Sequence, residues 1–131
     1  MLSDRICARV CYKISACPTL WVILHASGRF APKGMTNPHA HHIVMKGFFN
    51  RWLAPNRAFV TGAQDILTKY GIDVVNSPTN LTWVQNSGHS VNYAEKVYLR
   101  LQRADSLPGA NKATIESALT NMGKAITNGS F

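Results

Sequence analysis

Pro38-His39-Ala40-His41-His42-Ile43-Val44-Met45 is the stretch on which the reading of this chain turns. His39, His41 and His42 share a four-residue window. Ile43 and Val44, both β-branched, favour a strand. In an extended segment alternate side chains point to opposite faces. His39 and His41 then lie on one face and His42 on the other. Adjacent histidines so placed can do different jobs, one binding a metal while its neighbour points at a substrate. The same window also fits a solvated loop or a chance cluster. A metal reading requires further ligands to converge on it.

Upstream, Gly28 to Pro38 (GRFAPKGMTNP) carries two prolines and two glycines and reads as a loop leading into the histidines. Downstream, Gly47 to Pro55 (GFFNRWLAP) is aromatic and irregular, a short helix or a packed loop. Asn56 then looks like an N-cap. From Arg57 to Tyr70, residues Phe59, Val60, Ala63, Ile66, Leu67 and Tyr70 fall on one helical face, and Gly71 is well placed to end the helix. Ile72 to Val75 reads as a short extended segment, Asn76-Ser77-Pro78 as a turn, and Leu81 to Val84 as a brief apolar segment. After a turn over Gln85 to Gly88, Ser90 is placed to cap a second helix, Val91 to Arg103. A third helix covers Lys112 to Ile126, its end expected to fray because Gly123 and Asn128-Gly129 are poor helix formers. The expected class is α+β, a mostly helical small domain.

The ends and the bulk composition bound the answer further. A chain of 131 residues, 46% hydrophobic and 15% charged, fits one core and not a charge-rich disordered tail. The formal net charge is +8, from 14 Lys and Arg against 6 Asp and Glu. That balance favours phosphate backbones, and also suits an anionic membrane face or an acidic partner. The three cysteines, Cys7, Cys11 and Cys17, are an odd count and argue against a closed disulfide framework; a zinc site with His25 matches no familiar spacing. Arg5, Arg9 and Lys13 precede a weakly apolar stretch, Ile14 to Leu24. This has the outline of a secretory signal with Ala26-Ser27-Gly28 as a loose cleavage zone, but it is too short to span a bilayer. Residues 1–30 are therefore read as a leader or linker and 31–131 as the domain.

Ala40-His41-His42-Ile43-Val44 resembles the opening motif of the AHH group of nucleases, within the HNH superfamily. The resemblance continues through Ile66-Leu67-Thr68-Lys69-Tyr70-Gly71-Ile72-Asp73, through Asn76-Ser77-Pro78-Thr79-Asn80-Leu81, and to His89 with Tyr93 four residues later. It covers about Pro38 to Leu101, not the leader, and the last helix only vaguely. It implies a ββα-metal, treble-clef-like core, a β-hairpin followed by a helix around one metal ion.

Carried over, His41 is a metal ligand and His42 the general base. An imidazole pKa of about 6.5 suits proton abstraction near neutral pH. His89 resembles the later ligating histidine at the head of the superfamily helix; its bland reading is a loop histidine beside Gly88. Asn80 resembles the central asparagine, which braces the loop beside the histidine pair; otherwise it is a turn residue after Pro78. Tyr93 is a departure, since many superfamily members carry a second histidine there. A neutral phenol is a poor ligand, so Tyr93 either donates to the scissile phosphate or is a core aromatic. The resemblance implies one divalent ion, with magnesium, manganese, zinc and nickel all open.

Lys96 and Arg100 share a face of the second helix, with Arg103 joining them roughly. Together they form a nucleic-acid-binding stripe or a solvated face. The expected activity is metal-dependent endonucleolytic hydrolysis of DNA, with RNA open. The alternative is a non-catalytic nucleic-acid-binding domain on the same scaffold. The resemblance implies a context as well: AHH domains are commonly the C-terminal toxin parts of bacterial effectors, neutralised by an immunity protein. A delivered effector acting in a target cytoplasm and a stand-alone nuclease are both compatible with the residues.

Overall fold

The computed structural model describes residues 19–85 and 89–131. The cysteines, the basic run Arg5 to Lys13 and most of the turn expected over Gln85 to Gly88 lie outside the described residues. The described chain runs α1 (Thr19–Ala26), β1 (His39–His42), α2 (Ala54–Lys69), a 3-10 turn (Pro78–Asn80), β2 (Leu81–Val84), α3 (Val91–Asp105) and α4 (Lys112–Asn128). It is a small, mostly helical α+β domain with a two-stranded sheet, consistent with a ββα-metal-like core formed by β1, β2 and α3. Among the described residues no helix is long and apolar enough to cross a membrane.

The strands pair antiparallel, His39 with Val84, Ala40 with Trp83, His41 with Thr82 and His42 with Leu81. They are joined by residues 43–80, which contain α2, and not by a tight turn. Opposite residues in such a pair share a face. Ala40, Leu81 and Trp83 pack with Leu20, Ile23 and Leu24 of α1. The segment 1–30, read from sequence as leader or linker, thus contains a helix whose Leu24 is fully buried on the sheet.

On the opposite face Thr82 donates its hydroxyl to Gly123 O of α4 at 3.0 Å. Gly123 permits that approach: a Cβ there would stand 3.3 Å from Ile43 Cδ1 and from Thr82 Oγ1. The main core lies between α2, α3 and α4, with Leu67, Leu101, Ile115, Leu119 and Met122 packed on Ile43 and Val44. The histidine strand therefore leads directly into the core.

Local chemistry explains the element ends. The first long helix begins at Ala54, cap Leu53, and not at Arg57 with Asn56 as cap. Pro55 lies in its first turn, where a missing N–H costs nothing and φ is already helical. Its end is as expected. Gly71 has φ +72°, and Gly71 N and Ile72 N donate to Thr68 O and Leu67 O at 3.0 and 2.9 Å, a Schellman ending. Ile72 to Val75 forms no strand: the chain turns over Val74–Asn76, where the Asp73 side chain accepts from Val75 N and Asn76 N at 2.8 and 3.0 Å. Ser90 caps α3, accepting from Tyr93 N. Asn111 and Thr114 form a capping box on α4, which continues to Asn128 without the expected fraying and ends on Gly129 at φ +79°.

Candidate active site

The histidines converge at the end of β1 and the head of α3. His41 and His42 are 5% and 7% exposed. The His41 and His89 rings stack with centroids 4.1 Å apart. Tyr93 presents its ring to both, at 5.7 Å from His41 and 5.1 Å from His89. His39, half-buried at the start of β1, lies close enough for its charge to act on His41.

The ring nitrogens are held by backbone carbonyls. His42 Nε2 lies 3.0 Å from Val75 O, and His89 Nε2 lies 3.2 Å from His42 O. A carbonyl can only accept, so each Nε2 carries the proton and Nδ1 of the neutral ring is left as an acceptor. Burial holds all three imidazoles below the usual histidine range. His41 is pushed down to about 3 by burial first and then by His89, His42 and His39. His89 is lowered by burial, against its bond to His42 O. His42 is lowered by burial and by the nearby Lys46 charge, against its bond to Val75 O. Neutral imidazole is the form that binds a metal ion or accepts a proton.

Asn80 is completely buried at the junction of the 3-10 turn and β2. Its Oδ1 accepts from Val44 N at 2.8 Å, and its Nδ2 donates to Val44 O at 3.0 Å and Val74 O at 2.7 Å. One amide thus ties the exit of the histidine strand to the turn whose next carbonyl, Val75 O, holds His42. The Tyr93 hydroxyl donates to Ile43 O at 2.7 Å, and burial pushes its pKa above the usual phenol value.

Lys96 and Arg100 extend exposed from α3, and both reach the Phe131 ring, at 5.7 and 4.7 Å. That ring in turn lies 5.4 Å from Tyr93, so these two cations border the histidine cluster. Arg103 is exposed further along α3. The carbonyls of Val75, Val74 and Ile43 are the parts that sequence reading missed. The one signal for them was Asp73 followed by Asn76, the side chains that make the turn.

A separate hollow lies elsewhere among the described residues. It is a cavity of about 820 Å³ between the loop after α1, β2 and α4, and none of the clustered histidines lines it.

A family model described as "AHH: A nuclease family of the HNH/ENDO VII superfamily with conserved AHH" matches residues 23–126, in which Ala40-His41-His42 supplies that triplet. The chain belongs to the AHH nuclease family. Among curated proteins and solved structures, no match to the chain was found. Membership implies a nucleic-acid-cleaving enzyme, with the metal dependence typical of HNH/ENDO VII nucleases. Among the described residues no group of three or more His, Cys, Asp or Glu comes together to hold a metal ion. The candidate donors that the cluster offers are two neutral imidazoles, the stacked rings of His41 and His89. That pair fits a catalytic ion with open positions better than a closed structural zinc.

Proposed function

We propose that the chain is a metal-dependent endonuclease that hydrolyses phosphodiester bonds of DNA, with His42 as general base and His41 and His89 holding one divalent ion. The observation that carries the reading is the different setting of the adjacent histidines. His42 is fixed by Val75 O with Nδ1 left as its acceptor nitrogen, while His41 stacks on His89. In that arrangement His42 takes the proton of an attacking water as the bond from phosphorus to the leaving oxygen breaks. The ion, when bound, supplies positive charge to the phosphate oxygens as they gain charge. Asn80 positions His42 through Val44 and the Val74–Val75 turn. Lys96 and Arg100 lead the phosphate backbone to the cluster, with Arg103 beyond them. The net charge of +8 supports nucleic acid as the partner, and an acidic immunity protein if the domain is a toxin delivered into a target cytoplasm.

A second reading, binding without turnover, is favoured by one observation. Tyr93 stands where many relatives place a further ligand, and its hydroxyl is committed to Ile43 O. The deciding experiment strips metal from the parent and from His42→Ala. It then adds magnesium, manganese, zinc or nickel singly, with plasmid DNA and a structured RNA as substrates. Metal-dependent cutting by the parent, lost in the variant, is the expected result. Folded parent that binds DNA and cuts nothing with any ion selects the second reading.

A further inference from the structure

The loop after the histidine strand is built to display aromatic rings. It has neither helix nor strand between Met45 and Leu53, yet it is pinned along its length. Met45 and Trp52 are buried with Val60 and Ala94. Gln64 of α2 donates to Met45 O at 2.8 Å, Trp52 N donates to Phe49 O at 3.0 Å, and Arg57 Nε donates to Trp52 O at 2.7 Å. What this frame holds outward is Phe48, Phe49 and Leu53, 38%, 39% and 72% exposed. Guanidinium groups stand over both rings, Arg57 at 5.2 Å from Phe48 and Arg51 at 4.6 Å from Phe49. From Lys46 to Gln64 the chain carries Lys46, Arg51 and Arg57 and no acidic residue. Exposed rings held by a pinned loop whose own charges are all cations suit an anionic partner with flat apolar faces.

We propose that this loop is the surface on which unpaired bases of a nucleic acid rest, Phe48 and Phe49 stacking on bases while Lys46 and Arg51 take the adjoining phosphates. The inference rests on the nuclease reading and deepens it, naming single-stranded or locally opened segments as the substrate class. Bases inside a duplex offer no free face, whereas splayed bases stack readily on aromatic and guanidinium planes. Position favours nucleic acid over an anionic membrane, the other partner such a patch suits. Lys46 follows His42 by four residues, and its neighbour Met45 is buried in one cluster with Ala94, the residue after Tyr93 on α3, so the loop adjoins the histidine cluster.

The test uses the full chain in EDTA, so that binding is read without cutting. Anisotropy of a fluorescein-labelled oligothymidylate is compared with that of a duplex of equal length, for the parent, Phe48→Ala/Phe49→Ala and Phe48→Leu/Phe49→Leu. Thermal melts confirm that each variant is folded. The expected result is single-strand binding weakened about tenfold or more by both double variants, with duplex affinity changed less than about threefold, since stacking serves only bases with a free face. The leucine pair keeps apolar bulk and keeps the proposal testable if the alanine pair fails to fold. Retained single-strand affinity in either folded variant overturns the proposal, as does equal weakening toward duplex. Sedimentation with phosphatidylserine-containing vesicles that needs Phe48 and Phe49, with no effect of the variants on oligonucleotide binding, overturns it in favour of a membrane. Plasmid cutting with added metal is scored separately. A parent that binds single strands through this loop yet cuts nothing keeps the surface and removes the nuclease reading. A parent that cuts while its binding ignores both rings does the reverse.

Discussion

Asn80 has no surface in contact with solvent, and its side-chain amide makes three hydrogen bonds to backbone from two separate segments. Asn80→Ala leaves Val44 N, Val44 O and Val74 O without those partners. Each buried group so orphaned costs about 1–3 kcal/mol, and relaxation recovers part, so a loss of about 3 kcal/mol is expected in urea denaturation. Because the same amide sets the turn that holds His42, cleavage by the folded remainder falls in kcat more than in KM. Tyr93 gives a contrasting case. Tyr93→Phe removes the bond to Ile43 O, with a long 3.5 Å contact to His42 O, and keeps the ring against His41, His89 and Phe131. It is expected to cost about 1–2 kcal/mol, the penalty for one unpaired buried carbonyl, and to leave kcat within a few-fold. A kcat loss of a hundredfold or more in folded protein would return the hydroxyl to the scissile phosphate. Residue types were legible from the sequence because imidazole and amide chemistry is local. Their partners were not, because Val75, Val74 and Ile43 act through carbonyls that every residue possesses.

At the scale of elements, α2 and α3 meet closely at Gly62. A Cβ there would stand 2.6 Å from Tyr98 Cε2, closer than real contacts allow. Gly62→Ala therefore destabilises, although alanine is favoured over glycine in a helix by about 1 kcal/mol. In a Tyr98→Ala background the same substitution is expected to stabilise, and a double-mutant cycle read by thermal melting shows the change of sign. From sequence alone Gly62 counted only against the helix, since its reason is a ring thirty-six positions away.

The ends of α2 and α3 are tied by Asp105, which accepts from Lys69 Nζ at 2.9 Å and from the Tyr70 hydroxyl. These bonds hold the Asp105 carboxyl below its ordinary range. A depressed folded-state pKa means stability present above the unfolded value, about 3.9, and lost as pH falls through the lower folded value. Asp105→Asn should melt lower near neutral pH and lose that part of the acid dependence. The long helices were readable because an apolar stripe at helical spacing and a cap are written in consecutive residues. The Asp73 turn and the start at Ala54 were harder, since each depends on one side chain's competition with a regular backbone pattern.

The whole molecule adds a field that no single contact describes. The surplus of 14 basic over 6 acidic residues is spread without a dense run, yet the fold gathers part of it around the histidines. Lys46 approaches His42 from the loop, and Lys96 and Arg100 approach through Phe131 from α3. Each cation that neutralises a phosphate releases condensed counterions, so affinity for DNA falls linearly on a log–log plot against salt, with a slope of about −0.9 per contact. If Lys96 and Arg100 both serve, Lys96→Gln and Arg100→Gln should each flatten the slope by about 1 while weakening binding uniformly across sequences. Arg103, further along α3, should change it less. These titrations, done in EDTA on folded protein, separate the field from the chemistry. A flattened slope with unaltered cutting at low salt places the cations in substrate capture. An unchanged slope for Lys96→Gln and Arg100→Gln, with a flattened one for Arg51→Gln, would move the phosphate path off α3 and onto the aromatic loop.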